Sequence, residues 1–434
     1  MTARQARRRF LLLLGLRWFP VGLMIPVSVL LMLERGLGLA EIGSVAAVQG
    51  ITVLLLELPT GGLTDAIGRR PVLLLSAGVS LLASGLFAVA DSVLLFFLYF
   101  LLQGIFRALD SGPLEAWYVD HALAADPRAD IESGLSHSGV VLGVAVAGGA
   151  LAGGGLVALG PFGPVSALTV PVLVSIAVQV VSLIAVLTLM AEEGSAGGLS
   201  ALIASVRGTP AAIGGALRLV RASRVVAALM LVELFWGFGM TTFETLTPVR
   251  LTEVIGNADR ASALLGPVGS AAWAASAGGA ALIPLLVRRI GAPWTGFTLR
   301  IAQGVTVVGM GLFAGPVGVI TAYLLCYTVH GAANPVHAGL LHRQVDGPYR
   351  ASLLSLNSKV GKPGSALGLV VLTAIAAHAG TTLAMLVGAA VLAVAAPLYL
   401  VARRTGVVAS STVEFREQAD RGSSTSSALT PGGT

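Results

Sequence analysis

The chain has 434 residues, 55% of them hydrophobic and 11% charged, with a mean hydropathy of +0.88. Those values exclude a soluble globular protein of this length. The formal charge of +6 does not imply nucleic acid as a partner, because the basic residues stand at the ends of long apolar stretches, where membrane topology accounts for them.

Hydrocarbon cannot satisfy backbone polar groups, so each long apolar stretch reads as a spanning helix. Twelve spans are predicted, at 10–33, 41–63, 72–90, 93–117, 134–159, 165–190, 225–246, 262–287, 296–314, 317–341, 353–378 and 382–401. The first follows Arg4, Arg7, Arg8 and Arg9, as a signal peptide would. Its length and the lack of a small-x-small site at its end make it an uncleaved span. Connections are short except after 190, where Arg207, Arg218, Arg221 and Arg224 lie; there 209–220 could form a surface helix. This divides the chain into an N-terminal six-helix half at 1–190, a cytoplasmic linker at 191–224 and a C-terminal half at 225–402. A Ser-, Thr- and Gly-rich tail, 403–434, is expected to be disordered.

With the N-terminus inside, the inside segments before the tail hold fifteen arginines, against Arg35, Arg250 and Arg260 outside. The positive-inside rule therefore puts both termini in the cytoplasm. The run Leu63-x-x-x-Ile67-Gly68 recurs 223 residues later as Leu286-x-x-x-Ile290-Gly291, each copy between the second and third span of a half. The same offset places His330 opposite Arg107 and Asn334 opposite Ser111.

Between spans two and three stands Gly62-Leu63-Thr64-Asp65-Ala66-Ile67-Gly68-Arg69-Arg70-Pro71. This glycine-bracketed turn resembles the corresponding loop of the major facilitator superfamily. The resemblance implies an all-α membrane protein of twelve transmembrane helices in two six-helix halves, working by alternating access. It also implies a conformational lock of Gly62, Asp65, Gly68, Arg69, Arg70 and Asp120, which holds the outward-open state and breaks during transport. Glu57-Leu58-Pro59-Thr60 and Ser111-Gly112-Pro113-Leu114-Glu115-Ala116-Trp117-Tyr118-Val119-Asp120 resemble a bacterial branch labelled as drug exporters. The family arginine before Gln103-Gly104 is Phe100 here, and Arg107 lies seven residues on. Gly149-Ala150-Leu151-Ala152-Gly153-Gly154 is similar to the Gly-Pro-x-x-Gly-Gly run of proton-driven exporters, with alanine in place of proline.

A charge at the bilayer centre costs about 2.5–3.5 kcal/mol on insertion scales, so charges in spans mark function or a partner. Candidates for proton coupling or the cavity are Arg17, Arg107, Asp110, Glu115, Glu233, His330, Asn334, Lys359 and Lys362. Arg107 and Asp110, one turn apart, are expected to pair. Lys359 and Lys362 read equally as cavity charges or as partners of Glu57. Glu244 and Arg300 stand near predicted span ends and read as snorkelling. Trp236, Phe235 and Trp117 are candidate cargo walls, with interface tryptophan the alternative.

Cys326 is the single cysteine, which excludes internal disulfides and cysteine-based metal clusters. Gly361-Lys362-Pro363-Gly364-Ser365 lacks the features of a P-loop, and Gly134-Leu135-Ser136-His137-Ser138-Gly139 is too long for a nucleophile elbow. No enzyme, cofactor or metal is expected. The reading is a monomeric secondary transporter in a bacterial cytoplasmic membrane, exporting a small amphipathic compound against protons. The alternatives are proton-coupled uptake of a metabolite and a non-transporting sensor of the same fold.

Overall fold

A computed structural model describes residues 1–190, 198, 203, 220–221, 223–344 and 349–404, without the side chains of residues 58, 59, 61, 62, 65, 349–352, 354, 403 and 404. The predicted disordered tail beyond 404, and the predicted surface helix at 209–220 except Val220, lie outside the described residues.

Among the described residues the chain is nearly all helical, with one isolated bridge between Phe162 and Val165. In chain order the N-terminal half comprises α1 (Ala3–Met24), α2 (Ser28–Glu34), α3 (Leu39–Ile67), α4 (Arg69–Val89), α5 (Val93–Leu109), α6 (Pro113–Ala125), α7 (Ile131–Ala158) and α8 (Val170–Leu189). The C-terminal half comprises α9 (Arg224–Glu244), α10 (Leu246–Ile255), α11 (Ala258–Ile290), α12 (Ala292–Leu312), α13 (Pro316–His342), α14 (Tyr349–Ala379) and α15 (Thr381–Val394). A 3-10 turn (Ala396–Leu400) and α16 (Val401–Arg404) follow.

Ten helical runs are long and apolar enough to cross a membrane, and α1 with α2, bent by 42°, makes an eleventh. The remaining predicted span is α12, 21 residues long. Buried Thr295, Arg300 and Gln303 dilute its apolar character.

Three boundaries differ from those read in the sequence. Span four runs on to Ala125, span seven to Ile255, and the helix of span six starts at Val170 rather than 165. Span four contains a break. Asp110 ends α5, Gly112 takes φ +98°, and Pro113 starts α6. Proline fits the first turn because its missing N–H would have no partner there. Span seven continues past Thr245 because Pro248 falls in the first turn of α10, where proline is likewise tolerated.

The helix pairings repeat when shifted by six spans. In the first half α1 packs on α7 and α8, α5 on α3 and α4, and α4 on α8. In the second, α9 packs on α14 and α15, α13 on α11 and α12, and α12 on α15. Two crossed pairs join the halves, α7 with α11 and α3 with α14. The repeated Ile-Gly is also geometrical. Gly68 and Gly291 adopt φ +93° and +78°, and each ends one helix and begins the next. Their N–H groups donate to Thr64 O at 3.0 Å and Val287 O at 2.9 Å. That positive φ strains any residue with a Cβ.

The halves are sealed on the side away from the N-terminus. There Val27, Leu30 and Leu31 share one buried core with Leu251, Ala261 and Leu265 of the other half. Ser262 Oγ donates to Pro26 O at 2.7 Å. On the N-terminal side the cores stay within one half each, Phe10, Leu73 and Trp117 in the first and Val225, Leu340 and Tyr399 in the second. Among the described residues no buried core joins the halves on the side carrying the N-terminus, which leaves the seam open there.

Small residues permit the sealing contact. A Cβ on Gly154 would stand 2.7 Å from Gly266 Cα and 2.8 Å from Ala263 O, whereas one on Gly155 meets nothing within 4 Å. Gly154→Leu should overpack this crossing at a cost of about 1–3 kcal/mol, read as earlier thermal unfolding in detergent. Gly155→Leu should stay within about 0.5 kcal/mol of the parent.

Candidate functional site

At the glycine turn, Arg69 ion-pairs with Asp120 and donates to Ala116 O at 3.1 Å, tying the start of α4 to α6. Arg70 donates to Leu187 O at 2.7 Å and Arg9 to Leu189 O at 2.8 Å, so both cap the carbonyl end of α8. This placement suits the negative end of a helix dipole. The side chain of Asp65 lies outside the described residues, as does that of the expected Gly62–Asp65 end of the lock. Arg69 and Asp120 belong to one half, and they are paired while the seam on their side is open. Their pair alone does not close that side.

The expected Arg107–Asp110 pair is not formed. Asp110 turns into the first half and ion-pairs with Arg17 of α1, its carboxylate almost wholly buried. Asp110 caps the C-terminus of α5 with its N–H still bonded to Phe106 O at 3.1 Å, and the neighbouring α1 brings Arg17 to its carboxylate, so the acid is engaged between helices rather than along its own. Arg107 points elsewhere, with its guanidinium 5.2 Å from the Trp18 ring. Arg17 lies 5.8 Å from the same ring and 5.7 Å from Phe106.

Arg107 belongs to a group of charges in the seam between the halves. Glu244 of α9 lies within Coulombic reach of Lys362 and Arg107. Lys362 of α14 is in reach of Arg107, Glu57, Glu244 and Glu233. The first half thus supplies Glu57 and Arg107, and the second supplies Glu244 and Lys362. Glu244 does not snorkel, because span seven extends eleven residues beyond it to Ile255. Its side chain is exposed and yet ringed by helices, as on a cavity wall. Sequence reasoning missed its depth by ending the span at 246.

Arg300 does not snorkel either. It is 1% exposed and donates to Gln303 Oε1 at 2.6 Å. It also stands 6.0 Å from the Trp236 ring, and Trp236 stacks on His330 at 5.5 Å. Nearby, His337 bridges Tyr399 Oη and Asn357 Oδ1, both at 3.0 Å. Glu233 lies 3.7 Å from the same ring. Glu233, His330 and Trp236 are therefore brought together inside the second half.

Other candidates are scattered. Trp117 is fully buried beside His121 in the first half's own core, which removes it from any cargo wall. Glu115 and Asn334 are exposed and Phe235 is half-buried. Lys359 donates to Ser355 Oγ at 3.4 Å. Among the described residues no group of His, Cys, Asp and Glu could hold a metal ion.

The family model for the Major Facilitator Superfamily matches residues 10–358. No curated protein matches the sequence. Among solved structures, the nucleoside transporter NupG superposes with a TM-score of 0.74 at 13% identity, over 92% of this chain and 100% of its own. A bacterial homologue of the human lysosomal transporter Spinster, inward-facing and occupied, gives 0.74 at 15% identity, over 92% and 96%. A proton-dependent oligopeptide transporter gives 0.68 at 14% identity, over 92% and 98%. At such identities the likeness concerns the fold. Together with the family match over most of its length, it makes this chain a multi-pass membrane protein that belongs to the Major Facilitator Superfamily.

Proposed function

We propose that the chain is a proton-driven exporter of a small amphipathic compound, working by alternating access. The observation that carries the proposal is the position of Glu244, deep in span seven, beside Arg107 of one half and Lys362 of the other. Four charges sit in the seam, an acid and a base from each half. While both acids are ionised, they screen Arg107 from Lys362. A proton on Glu244 leaves Glu57 alone to screen them, and the two cations repel more strongly across the seam. Protonation is thereby converted into a force between the halves. Movement of those halves is what transport requires.

Export is supported by the glycine run of α7. Gly149 lies against Gly22 and Gly154 against Gly266, so the run packs the seal. It is the stretch that resembles proton-driven exporters. Half-buried Trp18 and Trp236 offer apolar surface beside the charges, which suits a cargo with a polar group on an aromatic or aliphatic body. The proposed topology has both termini in the cytoplasm of a bacterial inner membrane, which makes the open seam inward-facing. The proposed divide falls in the linker at 191–224. Each chain encloses its own seam, so a monomer suffices. The proposed lock remains Asp65, Arg69 and Asp120, with closure of the terminal side requiring contacts beyond the Arg69–Asp120 pair.

The test is transport of a fluorescent amphipathic cation by reconstituted or everted membrane vesicles with ATP held constant. Everted vesicles should accumulate the dye, and an uncoupler should abolish the accumulation. The potential contributes about 2.3 kcal/mol per charge per 100 mV, to which net proton movement adds a pH term. Dye uptake by right-side-out vesicles would reverse the direction, and uptake that survives the uncoupler but stops without ATP would overturn proton drive.

Glu244→Gln locates the coupling. Gradient-driven transport should fall about tenfold or more, the effect of 1.4 kcal/mol or greater on the rate-limiting barrier. Dye binding to the purified variant should change by less than about threefold, below 1 kcal/mol. Wild-type transport by this variant would remove Glu244 from the mechanism.

A further inference from the structure

The first half contains a chamber with one polar face that the seam charges do not use. It is a partly open cavity of about 90 Å³ between α1, α4, α5, α6 and α8, with more apolar than polar lining. On α4, Ser76, Ser80 and Ser84 line it at intervals of four residues, the spacing that puts side chains on one helix face. All three are buried, at 2%, 8% and 6% exposure. From α8, Gln179 reaches across: it accepts from Ser80 Oγ at 2.8 Å and donates to Ser84 Oγ at 2.8 Å. At one end of the chamber stands the Arg17–Asp110 pair.

A chamber with such a polar face differs from a wholly apolar void, which stays dry. It has room for several waters, which occupy about 30 Å³ each in the liquid. It also has a group that requires them. Ser76 is buried and lines the space, and its hydroxyl has no hydrogen-bonding partner among the described residues. An unpaired buried hydroxyl costs about 1–3 kcal/mol, which a bound water relieves.

The ends of the chamber are apolar. Beyond Ser84 lie fully buried Phe87 and Phe96, and beyond Asp110 lie buried Leu13, Leu73 and Leu114. The way to the seam passes Arg17, whose side chain is 19% exposed while that of Asp110 is 1% exposed. An ion pair thus stands between the chamber and the seam.

We propose that this chamber holds a chain of water molecules, and that through it Asp110 takes up and releases a proton out of contact with cargo. The proton passes from a hydronium ion to a carboxylate oxygen of Asp110, leaving a neutral acid, a water molecule and Arg17 still charged. The groups around Asp110 fit this role. From α1 comes Arg17, and α5 adds Tyr99 and Gln103 to the chamber lining, while the polar groups that α4 and α8 present there are hydroxyls and an amide. When Arg17 leaves toward the seam, those neutral groups and their waters are what remains to solvate the carboxylate or to bring it a proton. The proposal adds a second protonation site to the exporter reading, and its test involves no transport.

The measurement is infrared difference spectroscopy of the purified wild type and of Ser80→Val and Gln179→Leu, each of which fills the chamber and removes donors. Wild type should show water O–H bands that shift in heavy-oxygen water, and a protonated-carboxyl band that varies with pH. Asp110→Asn should abolish the carboxyl band; should that variant not fold, Asp110→Glu should displace it. In the filled variants the water bands should vanish, and the carboxyl band should persist to a pH higher by about one unit or more, a tenfold change in proton affinity. Ser76→Val provides the same test if Gln179→Leu does not fold. Absent water bands in wild type, or a carboxyl titration identical in wild type and filled variants, would overturn the proposal. Either result would leave the uncoupler experiment unaffected.

Discussion

In hydrocarbon, two helices gain nothing by hiding leucine from lipid, so close backbone approach and polar contacts must hold the bundle together. This constraint explains where the glycines of the seal stand. Gly22 meets Gly149, and Gly154 meets Gly266, at positions where any Cβ would collide with the facing backbone. Both crossings involve α7, so one helix joins α1 within its half to α11 across the seam. Ser270 adds a hydrogen bond from α11 to Ala147 O at 2.6 Å. The sealed side therefore rests on backbone proximity, and the open side keeps its larger apolar residues within each half.

The same solvent dictates how charge is housed. An arginine in the membrane interior must find an acid, a carbonyl or water. Arg17 finds Asp110, and Arg300 finds Gln303, each within its own half. Arg107 and Glu57 of the first half face Glu244 and Lys362 of the second across the seam. The distinction separates charges that stabilise a half from charges that respond to the relation between halves. Only the second class changes its surroundings when the halves move, which favours Glu244 as the proposed coupling group over Asp110, expected from the sequence to pair with Arg107.

The fold was legible because its signals are local. Twelve apolar stretches suffice for the spans, and Gly68 with Gly291 announces the repeat because positive φ demands glycine at both turns. The site was less legible because it depends on helix rotation and depth. Arg107 and Asp110 stand one turn apart, but their partners come from other helices, and nothing local shows that α1 carries Arg17 to Asp110. Ser111-Gly112-Pro113 does mark the break in span four, since glycine followed by proline both permits a left-handed turn and starts a new helix. Glu244 looked terminal because Thr245 and Pro248 resemble an end. The serine face of α4 was visible as a four-residue spacing, but what it faces depends on α8, whose Gln179 gives no cue in isolation.

The end of α5 joins these threads. Its last turn carries Arg107 toward the seam charges, while Asp110, its C-cap, meets Arg17 at the chamber. The two are three residues apart, and Arg17 lies within Coulombic reach of Arg107 while paired with Asp110. A change of charge in the seam is therefore felt at Arg17 through Arg107, by repulsion across a medium of low dielectric. Arg17 belongs to both environments, partly exposed on one side and bound to a buried carboxylate on the other. Electrostatic contact between seam and chamber thus needs no movement of the helices that enclose the chamber, only a redistribution of charge about one guanidinium group.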